Sequence, residues 1–129
     1  MFLEEEETME VRGIDYTFFS VADMARSITF YRDVIGLPMA RLILDDTWAE
    51  FEIKPGTLVI SQGDVFSEPG GGVVALAVED VKAALEELKR AGVHVHWDFH
   101  ETPVCYMAIV EDPDNNRLII HHRKDGTFG

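Results

Sequence analysis

The sequence predicts an α+β domain built from two βαβββ modules. Three observations carry that prediction: a strand–helix unit over 14–37, its restatement over 73–92, and three further strand-like runs after each. A unit repeated about half a chain apart is a strong statement about architecture, because both copies must bury the same kind of face.

Ile14–Val21 is rich in β-branched and aromatic residues, as a half-buried strand requires. Asp23 is placed to cap a helix whose apolar stripe is Met24, Ile28, Tyr31 and Ile35, and Gly36 supplies the left-handed residue that ends it. Pro38 opens a new segment, with strands expected at Met39–Leu44, Trp48–Ile53 and Leu58–Gln62, separated by turns at Asp45-Asp46 and Lys54–Thr57. The second module repeats the grammar. Val73–Val78 is the strand, Asp80 the cap, Val81, Ala84, Leu85 and Leu88 the stripe, and Gly92 the stop. Strands follow at Val93–Trp97, Val104–Val110 and Arg117–His122, with a loop over Asp98–Pro103 and a turn over Glu111–Asn116. The expected organisation is an acidic tail at 1–10 and a single domain at 11–123. The domain divides into a module at 11–63, a Gly-rich linker at 64–72 and a module at 73–123; 124–129 is a second tail.

Composition narrows the function. The formal charge is −13, with 24 acidic against 11 basic residues, a field that repels phosphate backbones and anionic membrane surfaces. No nucleic acid and no membrane is expected as a partner, and no apolar run approaches the roughly 20 residues of a membrane span. The start, Met1-Phe2-Leu3 followed by Glu4–Glu7, is the opposite of a basic signal-peptide start, and a lone Cys105 forms no internal disulfide. A cytoplasmic protein is expected. Cys105 reads as a buried small hydrophobe, and no GxSxG, P-loop or GxGxxG motif is present.

The stretches Val21-Ala22-Asp23-Met24-Ala25-Arg26-Ser27, Phe30–Leu37, Val78–Val81 and Glu111–Asn116 resemble the vicinal oxygen chelate superfamily, which contains glyoxalase I, extradiol dioxygenases, fosfomycin-resistance enzymes and bleomycin-resistance binding proteins. The resemblance runs from about Ile14 to His122. It implies that each module curls into part of a curved mixed sheet around a cleft, with its helix on the convex side, and that the protein is a homodimer.

The resemblance also implies four metal-ligand positions, carried over singly. They fall at Tyr16, within Ile60–Gln62 with Ser61 as the middle choice, at Val73 and at Ile119. Valine and isoleucine have no donor atom, so the usual divalent-metal site is not expected and no cofactor is predicted. A nonstandard site using His121 and Glu50 is the alternative; His94, His96 and His100 read as solvent-facing or rim residues.

Strand alternation turns Tyr16, Phe18 and Ser20 toward the cleft and Thr17, Phe19 and Val21 toward the helix. It turns Val73, Ala75 and Ala77 inward in the second module, and it separates His121 from His122. The expected ligand-binding set is Tyr16, Phe18, Trp48, Glu50, Ser61, Tyr106 and His121, with Trp97 as a further candidate wall. Such an aromatic cleft with few polar groups suits a small-molecule ligand. The expected function is a metal-free glyoxalase/bleomycin-resistance-like binding protein. Two alternatives stay open: a lyase, isomerase or dioxygenase with a nonstandard metal site, and a dimeric interaction module with a filled cleft.

Overall fold

The computed structural model describes residues 9–10, 14–63 and 69–127. Most of the expected acidic tail, and positions 64–68 of the expected linker, lie outside the described residues. The elements are β1 Thr17–Val21, α1 Met24–Ile28 with a π-helical continuation Thr29–Val34, β2 Met39–Ile43, β3 Trp48–Ile53, β4 Gly56–Gln62, β5 Val73–Ala77, α2 Val81–Arg90, β6 His94–Glu101, β7 Cys105–Glu111 and β8 Arg117–Arg123. They form two four-stranded mixed sheets, ordered β1-β4-β3-β2 and β5-β8-β7-β6. In each, the first strand runs parallel to the last of its module and the other pairs are antiparallel. The βαβββ repeat is therefore literal.

Local chemistry sets the helices. Asp23 and Asp80 adopt extended backbone and accept from Arg26 N–H and Ala83 N–H at 3.2 and 3.0 Å, satisfying an otherwise orphaned first-turn donor in each helix. Gly36 and Gly92 end the two helical segments at φ +89° and +81°, where a side chain would be strained. The first helix departs from simple 3.6 periodicity. Ile35 N–H bonds to Phe30 O at 2.9 Å, five residues back, so the turn is wider than an α-turn. That widening presses both Phe30 and Tyr31 into the core and leaves Ile35 only partly covered.

One hydrophobic core runs through both modules. Phe19, Val21, Ala49, Phe51, Leu58 and Ile60 from the first sheet meet Met24, Ile28 and Tyr31, and the cluster continues into Val81, Leu85, Ala108, Val110, Leu118 and Ile120. Thr17 departs from its expected place under the helix and lines a cavity instead. The sixth strand also differs from expectation, running to Glu101 through what reads as a loop. Register shifts flank Trp97, so His94, Trp97 and His100 pair with Glu111, Ile109 and Met107.

The modules meet along β1 and β5, each an edge strand with one hydrogen-bonded neighbour. Among the described residues, no ladder joins these edges. The seam is fastened at one end by the turn after β7. Asn116 Nδ2 donates to Ser20 O at 3.1 Å, and Asn116 Oδ1 accepts from Gly70 N–H and Gly72 N–H. Asp114 accepts from Ala22 N–H and from Arg26. Phe19 packs so closely that a Cβ on Gly72 would stand 2.2 Å from its ring.

Candidate functional site

At the other end the seam opens into a cavity of about 590 Å³. Its walls are the start of the first strand (Ile14–Thr17), the β3–β4 hairpin (Ile53–Leu58) and β5 (Val74–Ala77), and its floor is Met107, Ile119, His121 and Arg123. The floor follows from register. Ala77, His121 and Met107 are cross-strand partners, as are Ala75, Ile119 and Ile109, so these side chains share the concave face of the second sheet.

Ala75 and Ala77 contribute backbone as well as space. Arg117 N–H bonds to Gly72 O and Val78 N–H to His121 O, so the even-numbered residues of this strand bond toward β8. By the alternation of a parallel ladder, the amide groups of Ala75 and Ala77 point to the free edge that borders the cavity. The site is thus mostly apolar, with a minority of polar side chains such as Lys54, His121 and Arg123 and with backbone donors and acceptors at one rim, a common makeup for a small-molecule pocket.

The sequence-predicted residues separate into three places. Tyr16 and His121 line the cavity together, one from each module. Phe18, Trp48, Glu50 and Ser61 occupy the concave side of the first sheet beyond it. Trp48 lies 5.7 Å from Phe18 and 6.0 Å from Tyr16 between ring centroids, so Tyr16 joins this aromatic patch to the cavity. Glu50 is held by Trp48 Nε1 at 3.0 Å and by Arg41 at 3.5 Å. It does not line the cavity with His121.

Tyr106 stands elsewhere. It pairs with His122, not His121, and so faces the α2 side, where it stacks on Phe99 at 5.9 Å between ring centroids and lies under Lys124 at 4.9 Å. His122 bonds Val78 O there through Nδ1 at 3.0 Å. Tyr106 is therefore a wall of the convex side and no part of the cavity. Trp97 takes the concave position instead, 46% exposed and stacked on His100 at 4.8 Å.

Among the cavity-lining residues, Lys54, Met107 and Arg123 escaped the sequence reading. Arg123 was within reach of it, since it stands two residues beyond His121 on the same face. Lys54 sits in a turn, where alternation carries no information.

The four inferred metal positions do not make a metal centre. Val73 and Ile119 have no donor atom. Ser61 pairs with Ser20, four residues along the strand from Tyr16, a separation of about 13 Å at strand rise. Among the described residues, no three His, Cys, Asp or Glu side chains converge as a cluster able to hold a metal ion. The residues present do not fit the group.

Buried polar groups are otherwise satisfied: among the described residues, no buried side-chain nitrogen or oxygen lacks a hydrogen-bond partner. Cys105 is buried with its Sγ 3.2 Å from Thr102 Oγ1. No helix among the described residues is long and apolar enough to cross a membrane.

The model of the Glyoxalase/Bleomycin resistance protein/Dioxygenase superfamily matches residues 13–120. The chain belongs to this superfamily. Solved structures with the same fold include TnmS3, an antibiotic-binding protein from Streptomyces sp. CB03234, with a TM-score of 0.80 and 22% identity over 91% of this chain and 100% of that one. A lactoylglutathione lyase from Agrobacterium tumefaciens has a TM-score of 0.76 and 21% identity over 93% of this chain and 100% of that one. A glyoxalase/bleomycin resistance protein from the same Streptomyces strain has a TM-score of 0.67 and 24% identity over 86% of this chain and 100% of that one. No functionally curated protein matches the sequence significantly. The superfamily membership and the two-module fold agree with the reading from sequence.

Proposed function

We propose that this superfamily member is a metal-free binding protein that holds a small organic molecule in the cavity between β1 and β5. The observation that carries the reading is the cavity itself: about 590 Å³, apolar in most of its lining, with Tyr16 and His121 brought together from separate modules. That volume lies within the range of ordinary small-molecule sites. The antibiotic-binding description of a protein with this fold supports the binding reading. The loss of donor atoms at Val73 and Ile119 supports it further.

The proposal includes a homodimer. Val73 and Trp97 are 56% and 46% exposed, apolar surface that a second copy would cover. It also includes a cytoplasmic setting, in keeping with one free cysteine.

The test is a thermal-shift screen of aromatic and polycyclic organic compounds against the wild-type protein and Ala77→Trp. Ala77 is exposed to the cavity, so the indole fills space without disturbing the core. Compounds that raise Tm in the wild type and lose that effect in Ala77→Trp support the reading. Hits unaffected by the substitution, or stoichiometric divalent metal in protein purified without an affinity tag, would overturn it.

A further inference from the structure

We propose that the ligand is an apolar organic anion whose acidic group is held by Arg123 and His121. This rests on the cavity being the binding site and specifies the chemistry it selects.

The first observation is the local charge. The chain has 24 acidic residues and 11 basic ones, yet among the described residues the cavity is lined by Lys54, Arg123 and His121 against one carboxylate, Asp15. Long-range steering by the net charge would favour a cation. Screening reduces that influence beyond about 8–10 Å at ordinary ionic strength, so the groups that touch a bound molecule decide its charge.

The second observation is how the other cations are used. Arg26, Arg32, Arg41, Arg117, Lys89 and Lys124 each stand within 4 Å of a carboxylate, as the excess of acids makes easy. Among the described residues Lys54, Lys82, Arg90 and Arg123 do not, and of these four Lys54 and Arg123 line the cavity. The Arg123 side chain bonds the Thr127 hydroxyl at 3.5 Å, and its charge acts on Asp125 beyond ion-pair distance. A guanidinium that makes no direct ion pair among the described residues and lines a mostly apolar cavity presents a planar fork that matches a carboxylate, sulfonate or phosphate.

The third observation is geometry. His121 and Arg123 are two residues apart on β8 and both face the cavity, about 6.6 Å apart at strand rise. One acidic group between them reaches both. Beside them lie Ala75, Ala77, Met107 and Ile119, a floor with room for a flat apolar body. Lys54, on the hairpin across the cavity, adds a second positive charge to the lining.

The experiment uses one ring system in three charge states at pH 7: 2-naphthoate, 2-naphthylmethanol and 2-naphthylmethylammonium, titrated calorimetrically at 0.15 M salt. The wild type should bind the naphthoate at least about fivefold tighter than the alcohol, the gain expected of a partly exposed charged contact. The amine should bind most weakly. Arg123→Gln, with its fold checked by circular dichroism and Tm, should bring the naphthoate-to-alcohol affinity ratio close to one. Equal affinity for all three, tighter binding of the amine, or an unchanged ratio in Arg123→Gln would overturn the anion assignment while leaving the cavity reading in place. Failure of all three to bind, or binding of the alcohol unaffected by Ala77→Trp, would overturn both.

Discussion

Tyr31 and Asp112 are 81 residues apart in sequence and joined by a 2.8 Å hydrogen bond from the phenol to Oδ2. The bond ties the widened turn of the first helix to the hairpin of the second module. Asp112 is almost fully buried, and its other donors are Asn116 Nδ2 to the same oxygen and the Asp114 and Asn116 amides to Oδ1. Tyr31→Phe leaves a buried carboxylate oxygen short of one donor. The expected loss is about 1–3 kcal/mol, read as a lower urea midpoint with an unchanged slope.

The same contact predicts alkaline sensitivity. Burial first, then the Asp112 charge and the hydrogen bond to it, and last the Asp114 charge, push the Tyr31 phenol far above its ordinary 10.0. The folded protein thus holds the phenol neutral while the unfolded chain ionises it. The stabilisation is complete below about pH 10 and falls as pH rises above it, by roughly 1.4 kcal/mol per pH unit for the one proton. Urea titrations from pH 9 to 11 should show the advantage of the wild type over Tyr31→Phe shrinking at that rate above pH 10.

At the fastened end of the seam, Gly72 is required by space. Its missing Cβ would stand 2.2 and 2.3 Å from two ring carbons of Phe19, itself 1% exposed. Gly72→Ala is expected to cost about 1–3 kcal/mol as an overpacked core position. Adding Phe19→Leu should recover part of that loss, and a double-mutant cycle in urea measures the coupling. An additive result would disprove the steric account.

Asn116→Ala removes four hydrogen bonds at once, those to Gly70, Gly72, Ser20 and Asp112. The expected loss is about 2–4 kcal/mol. Amide exchange should accelerate at Gly70 and Gly72, while amides internal to β3 and β4 retain their protection relative to global stability.

On the surface, Lys124 holds the Glu101 carboxyl below its ordinary range by hydrogen bonding and then by charge, while the Phe99 amide and then Lys89 do the same for Asp98. A lowered folded value means that these contacts support the fold above the unfolded pKa and fade as pH falls through the folded one. Carbon-detected NMR titration should show Lys124→Gln returning Glu101 toward 4.5 and leaving Asp98 where it was.

Much of the fold is legible in the sequence because its signals are local. Asp23 and Asp80 cap, Gly36 and Gly92 stop, and Trp48–Ile53 alternates so plainly that its strand bounds match the structure. The widened turn at Thr29–Val34 was not legible, because its i–5 bond is chosen by packing both Phe30 and Tyr31. The face of Tyr106 was not legible for another reason. Met107 and Ile109 are as apolar as Ala108 and Val110, so β7 carries no contrast between faces and alternation has nothing to read. In β6 the register shifts around Trp97 are set by pairing with β7, which spacing within β6 does not encode. The pairing of Tyr16 with His121 around one space depends on how two modules dock. That docking is set by the Asn116 and Asp114 contacts, which sequence spacing does not encode.

The seam's Asn116 and Asp114 hydrogen bonds lie at one of its ends, which gives it the form of a lever. The five residues of β5 span roughly 17 Å from Gly72 toward Ala77. A rocking of one module against the other by about 10°, pivoting near Asn116, displaces the distant end by about 3 Å, close to the width of one added methylene layer on a guest molecule. Phe19 and Tyr31 lie in the core beside that pivot, so a rocking of this kind would change the gape at the cavity far more than their packing.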